Sequence, residues 1–165
     1  MFLVHFWVLW SSGGTVATQN KQGMKTIIAV SGRAAIGKSA SILMLESLLE
    51  NKKVYEDFHK CDRVLVAKYV PAKDGSKEIF VGCCSEGDPP GFYQQAWMRK
   101  CVELGCEIIV TACRTTGRTV ENVERIAREG GYKVIYTSVY CNAGDAPLLN
   151  RLFAENTLKL IDELI

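Results

Sequence analysis

Apolar and polar positions change their spacing several times along this chain, and each change marks an element. Thr26 to Val30 (TIIAV) is a short β-branched apolar run, the pattern of a strand covered on both faces. A glycine-punctuated turn occupies Ser31 to Ser39. Lys38 to Glu50 then predicts a helix that places Ile42, Leu45, Leu48 and Leu49 on one face. Arg63 to Val70 (RVLVAKYV) and Glu78 to Cys84 (EIFVGCC) are strand-like, and the short link between them, with Asp74-Gly75, predicts an antiparallel hairpin.

A helix is expected from Phe92 to Leu104, with Gly105 where a left-handed residue closes it. Cys106 to Cys113 (CEIIVTAC) is another buried strand. Thr119 is expected to cap a helix carrying Val120, Val123, Ile126 and Ala127 on one face, ended by Gly130-Gly131. Tyr132 to Tyr140 (YKVIYTSVY) is the last strand, and Asp145 with Pro147 opens a final helix to Ile165. All four prolines fall between these elements or at their starts. The alternation predicts an α/β fold in three layers, a mainly parallel sheet with one antiparallel hairpin strand and helices on both faces.

The first 23 residues read differently. Met1 to Trp10 is nearly all apolar, and Ser11, Ser12, Gly13 and Gly14 lead into a polar stretch ending at Gly23. The run is shorter than the roughly 20 apolar residues that span a bilayer, and it lacks the cationic start of a secretory signal. Residues 1–23 are therefore expected to be an appendage to one domain over 24–165.

Composition narrows the function. A chain of 165 residues, 48% hydrophobic and 23% charged, suits one globular domain and excludes disorder over most of its length. Twenty Lys+Arg against 18 Asp+Glu, scattered along the chain, give no argument for a nucleic-acid partner. With only His5 and His59 there is no His-rich metal site. The seven cysteines are odd in number, contain no C-x-x-C and sit mostly in apolar stretches, which predicts reduced, buried thiols in a cytoplasmic protein.

One motif carries chemistry. Gly32-Arg33-Ala34-Ala35-Ile36-Gly37-Lys38-Ser39 follows a predicted strand and opens a predicted helix, with Ala40 next. Glycines at both ends let the backbone curl so that successive N–H groups point inward at a helix N-terminus, a cradle for anions. The octet matches G-x-x-x-x-G-K-[ST], so the chain resembles the P-loop NTPase superfamily. That resemblance implies the P-loop fold, a nucleoside triphosphate (ATP, or GTP) held by residues 32–40, an exposed Lys38 reaching the β- and γ-phosphates, and Ser39 on Mg²⁺.

The superfamily also implies a carboxylate after an apolar strand. Cys106 to Cys113 is followed by Arg114, whereas Glu78 to Cys84 is followed by Ser85-Glu86-Gly87-Asp88, so Asp88 is the expected metal-side acid with Glu86 in reserve. Asp88-Pro89-Pro90-Gly91 also matches D-x-x-G, and the order of elements from Met24 to Tyr140 resembles the Ras-like GTPases. At the place of their guanine-reading N-K-x-D stands Asn142-Ala143-Gly144-Asp145, without the Lys. Arg114 and Arg118, in the loop after a central strand, are candidates to neutralise phosphoryl charge. Phe92, Tyr93, Gln94 and Gln95 are candidates for an acceptor pocket.

The expectation is phosphoryl transfer to a small acceptor or triphosphate hydrolysis. The alternatives are a GTPase-like switch acting through a protein partner or a homo-oligomer, and a nucleotide-binding module without turnover.

Overall fold

The computed structural model describes residues 24–165 except 74, 76, 142 and 143. The expected appendage, Asp74 of the hairpin link and Asn142 of the N-x-x-D stretch lie outside the described residues.

Six strands and four helices follow in the order β1 (Thr26–Ser31), α1 (Lys38–Leu49), β2 (Lys53–His59), β3 (Asp62–Tyr69), β4 (Ile79–Cys84), α2 (Phe92–Glu103), β5 (Ile108–Cys113), α3 (Arg118–Gly130), β6 (Lys133–Thr137) and α4 (Ala146–Leu164). They build one sheet of order β2-β3-β4-β5-β1-β6. Neighbours β4, β5, β1 and β6 are parallel, and only the β2–β3 and β3–β4 pairings are antiparallel. The sheet is thus mostly parallel, with β3 alone reversed.

Alternation along the strands sends side chains to two cores. On one face Ile28, Val30, Leu65 and Val110 pack beneath α1 and α4, meeting Ile42, Leu45, Phe153 and Ile161. On the other, Ile27, Ala29, Val66 and Ile109 meet Trp97 and Met98 of α2 and Val123 and Ile126 of α3. Helices on both faces explain why β1 and β5 are continuous apolar runs, since a parallel strand so covered has no solvent side. Each fully buried Ile or Leu of these layers contributes about 1.5–3 kcal/mol.

Two expectations are corrected, and one strand was not expected. β2 has no sequence signature: none of its residues is buried, and Val54 and Phe58 are 47% and 58% exposed, so an edge strand left half bare shows no period-two alternation. Leu48 does not belong to the buried face of α1. It is 46% exposed, and Glu46 takes the place beside Ile42, Leu45 and Leu49 that a 3.6-residue turn demands. Thr119 is not the cap of α3. Gly117 stands there, and the Thr119 hydroxyl, two residues further and within the first turn, accepts the Arg114 backbone N–H at 2.9 Å.

All seven cysteines are free thiols, five of them buried and Cys61 and Cys141 exposed. Among the described residues no helix is long and apolar enough to cross a membrane.

Candidate functional site

β1, between β5 and β6, delivers residues 32–37 to the carboxyl end of the sheet. The Gly32 N–H donates to the Cys113 carbonyl at 3.2 Å and the Ser31 hydroxyl to the Arg114 carbonyl at 3.1 Å, which ties the loop to the end of β5. The backbone then turns through left-handed conformations at Ala35 (φ 56°) and Gly37 (φ 95°). At Gly37, which directly precedes α1, a side chain would strain this turn, so the second glycine of the octet answers to backbone geometry. No side chain caps the helix, and Ser41 is the residue whose N–H reaches back to the Gly37 carbonyl. The amides of Lys38, Ser39 and Ala40 therefore lack intrahelical acceptors and face the loop, at the positive end of the helix dipole.

Lys38 departs from the expectation of an exposed cation. The residue is only 6% exposed, and its ammonium donates to the carbonyls of Gly32 at 3.1 Å and Arg33 at 2.5 Å. The loop curls around its own lysine through those two carbonyls. Burial lowers the Lys38 pKa and Arg114 adds to the fall, against the pull of Asp88 and Cys113. An ammonium offers three hydrogens, and these two bonds use two of them.

Ala34, Ala35, Gly37, Lys38, Ser39 and Ala40 form one wall of a cleft of about 410 Å³, and Gly87 and Asp88 form the other. The Ser39 hydroxyl donates to the Ser85 carbonyl at 2.8 Å, a bond that joins the walls and leaves the hydroxyl lone pairs free to accept. Gly87 permits the close approach of the second wall. A Cβ there would stand 2.5 Å from the Ala112 Cβ and 2.8 Å from its carbonyl carbon, so the chain after β4 can lie flat on the end of β5 only without a side chain.

Asp88 comes from the end of β4, which β5 separates from β1. Its carboxylate pairs with Arg114, Oδ1 to Nη2 at 2.9 Å, while the Arg114 Nε is buried with no hydrogen-bond partner among the described residues. The reserve acid Glu86 does not line the cleft. Its Oε2 is buried and unpartnered, and burial raises the carboxyl pKa against the opposing Gln94 backbone N–H.

Ser39 and Asp88 are hard oxygen donors on facing walls, a set that suits Mg²⁺ when phosphate and water complete the octahedron. No three His, Cys, Asp or Glu side chains among the described residues group as a metal cage. The arrangement fits a metal carried in with a phosphate ligand.

The remaining candidates are dispersed. Arg33 is exposed and supplies the cleft only through its carbonyl. Arg118 does not join Arg114 there; its guanidinium lies 5.5 Å from the Phe92 ring and lines a second cleft with Phe92 and Gln95. Tyr93 stacks on His59 with ring centroids 3.7 Å apart. Gln94 is fully buried, so the four residues 92–95 do not form one pocket.

Sequence reasoning missed a polar network behind the site. The Gln94 amide donates to the carbonyls of Ala112 at 2.7 Å and Thr119 at 3.2 Å. Asn122 donates to the Gly91 carbonyl at 3.0 Å and to Gln94 Oε1 at 3.1 Å, and accepts Arg125 Nη2 at 2.6 Å. The available signal was two amides on apolar helix stripes, Gln94 one turn before Trp97 and Met98, and Asn122 one turn before Ile126. No family model, curated protein or solved structure matches this chain.

Proposed function

We propose that this chain binds a Mg²⁺-nucleoside triphosphate in the cleft of residues 34–40, 87 and 88 and transfers its terminal phosphoryl group to a small acceptor or to water. The reading rests chiefly on one observation. Orphan amides of α1, an inward-curled lysine, a hydroxyl and a carboxylate surround one cleft, each of a type that polyphosphate with a divalent cation requires.

The amides of Lys38 to Ala40 accept phosphate oxygens, and Lys38 swings its ammonium from the Gly32 and Arg33 carbonyls to the phosphates. Ser39 and Asp88 would hold Mg²⁺, and the chemistry it would supply when bound is neutralisation of phosphate charge. Arg114, freed from Asp88 when the carboxylate turns to the cation, supplies positive charge where the transferred group moves. ATP is the default base; nothing in the described residues reads guanine. That β5 ends in Arg114 rather than in an acid favours, as the second reading, a nucleotide-binding module without turnover.

Calorimetric titration of the full chain with ATP and with GTP, each with Mg²⁺, tests the proposal, followed by phosphate release from the bound sample. Micromolar binding with release supports the enzyme, binding without release supports the second reading, and no binding of either nucleotide removes both.

A further inference from the structure

A second cleft, of about 520 Å³, opens between the start of α2 and the outer face of α3, lined by Phe92, Gln95, Asn122, Arg118, Arg125 and Arg128 together with Glu121 and Glu124. Its cations are unusually uncommitted. Spacings of seven and three put Arg118, Arg125 and Arg128 on one side of α3, where like charges at short range repel. The helix offers each of the later two an acidic neighbour four residues back, Glu121 for Arg125 and Glu124 for Arg128, yet neither pair forms. Arg125 turns to Asn122, and none of the three arginines makes an ion pair among the described residues.

This cleft is built rather than incidental. Asn122 is 1% exposed, and its amide is fixed by the Gly91 carbonyl and Gln94, so its carbonyl oxygen holds the Arg125 guanidinium in place at 2.6 Å. A pre-positioned guanidinium spends less conformational entropy on a ligand than a free one. Phe92 stands 63% exposed at the rim with the Arg118 guanidinium 5.5 Å from its ring centre, so an apolar ring and a cation meet there. Three guanidiniums match a doubly charged oxyanion, the carboxylates of Glu121 and Glu124 match hydroxyl or amino donors, and the Phe92 ring matches another ring.

The geometry points to a second binding site here, for a small phosphate monoester that carries a flat, donor-bearing ring, of the mononucleotide type. As a binding site it is independent of the triphosphate cleft.

The test uses the full chain without Mg²⁺ or triphosphate. Adenosine 5′-monophosphate, ribose 5-phosphate and inorganic phosphate are titrated calorimetrically against the parent protein and against Arg128→Glu and Phe92→Ala, both at exposed positions where folding is not at stake. The site predicts that the mononucleotide binds at least about tenfold more tightly than phosphate, and that Arg128→Glu weakens it at least about tenfold, as loss of a charge-assisted bond does. Phe92→Ala should weaken the mononucleotide several-fold and leave ribose 5-phosphate unchanged. Three results each overturn it: equal affinity for phosphate and mononucleotide, affinity unmoved by Arg128→Glu, or no binding at millimolar concentration. Binding of the mononucleotide by a chain that fails to bind ATP or GTP would sustain this site while removing the proposed function.

Discussion

Glu46 is a carboxyl on the core side of α1, 0% exposed, with Ile42, Leu45 and Leu49 around it. Its Oε2 accepts from the Arg63 Nε, while its Oε1 is buried without a partner. Burial raises the Glu46 pKa from 4.5 to about 8, over the opposing attraction of Arg63. A folded-state pKa above the unfolded one means that the folded protein keeps a proton which the unfolded chain gives up. The contribution to stability is therefore complete below pH 4.5, declines as pH rises through the window to about 8, and is flat above it. At about 1.4 kcal/mol for each tenfold change in proton affinity, the full decline reaches about 5 kcal/mol, a large share of a domain's net stability.

The variant Glu46→Gln removes the titration and keeps the shape. Urea unfolding of both proteins at pH 5 and pH 8 gives the contribution of this one side chain as the difference between their pH dependences, with all other groups cancelling. We expect the parent protein to lose about 2–5 kcal/mol more than the variant between the two pH values, a fall of about 1–3 M in urea midpoint. Equal pH dependence of the two proteins, or a parent that gains stability toward pH 8, would refute the reasoning, because it would mean that Arg63 holds the carboxylate ionised against burial.

Lys38→Met keeps the buried stem and deletes the ammonium; triphosphate affinity in the same calorimetry should fall at least about tenfold while stability changes by about 1 kcal/mol, since two hydrogen bonds are lost and a desolvated charge is relieved. Gly87→Ala drives a Cβ into Ala112, including its backbone, so the melting temperature should drop by an amount equivalent to about 1–3 kcal/mol; an unchanged value would show that the second wall of the cleft has slack. Asn122→Ala leaves the Gln94 side-chain carbonyl oxygen without its donor in the interior and removes one of the two donors to the Gly91 carbonyl. A loss of about 2–4 kcal/mol in denaturant unfolding is expected, against near neutrality for Glu121→Ala on the solvent side of the same helix.

The layered α/β architecture was legible because its signals are local and redundant. Thr26 to Val30 and Cys106 to Cys113 are short β-branched apolar runs bounded by turn residues, and the face of Val123, Ile126 and Ala127 carries a helical period. The edge strand β2 was not legible, because a strand paired on one side and left half bare leaves no periodic imprint. Leu48 was misplaced because counting apolar residues on a helix is weaker than measuring their angle: a six-residue separation from Ile42 points well away from it.

For the candidate site, the loop geometry at Gly37 followed from residue type, but the fate of the Lys38 ammonium did not, since it depends on where the loop carbonyls point. The separation of Arg114 from Arg118 was equally hidden. Four residues apart across a loop-to-helix boundary, they diverge because the loop closes on itself through Thr119 and the Arg114 backbone, which aims one guanidinium at Asp88 and the other at Phe92.

Gln94, Thr119 and Asn122 hold the end of β5, the Gly91 turn and the first turn of α3 as one buried unit. An interior polar cluster of this kind is costly unless every member is satisfied, and its hydrogen bonds are directional where apolar packing is not. The apolar layers could tolerate small displacements of α3 along the sheet; these amides could not. These three polar residues therefore fix the start of α3 against the end of β5 and the Gly91 turn from within.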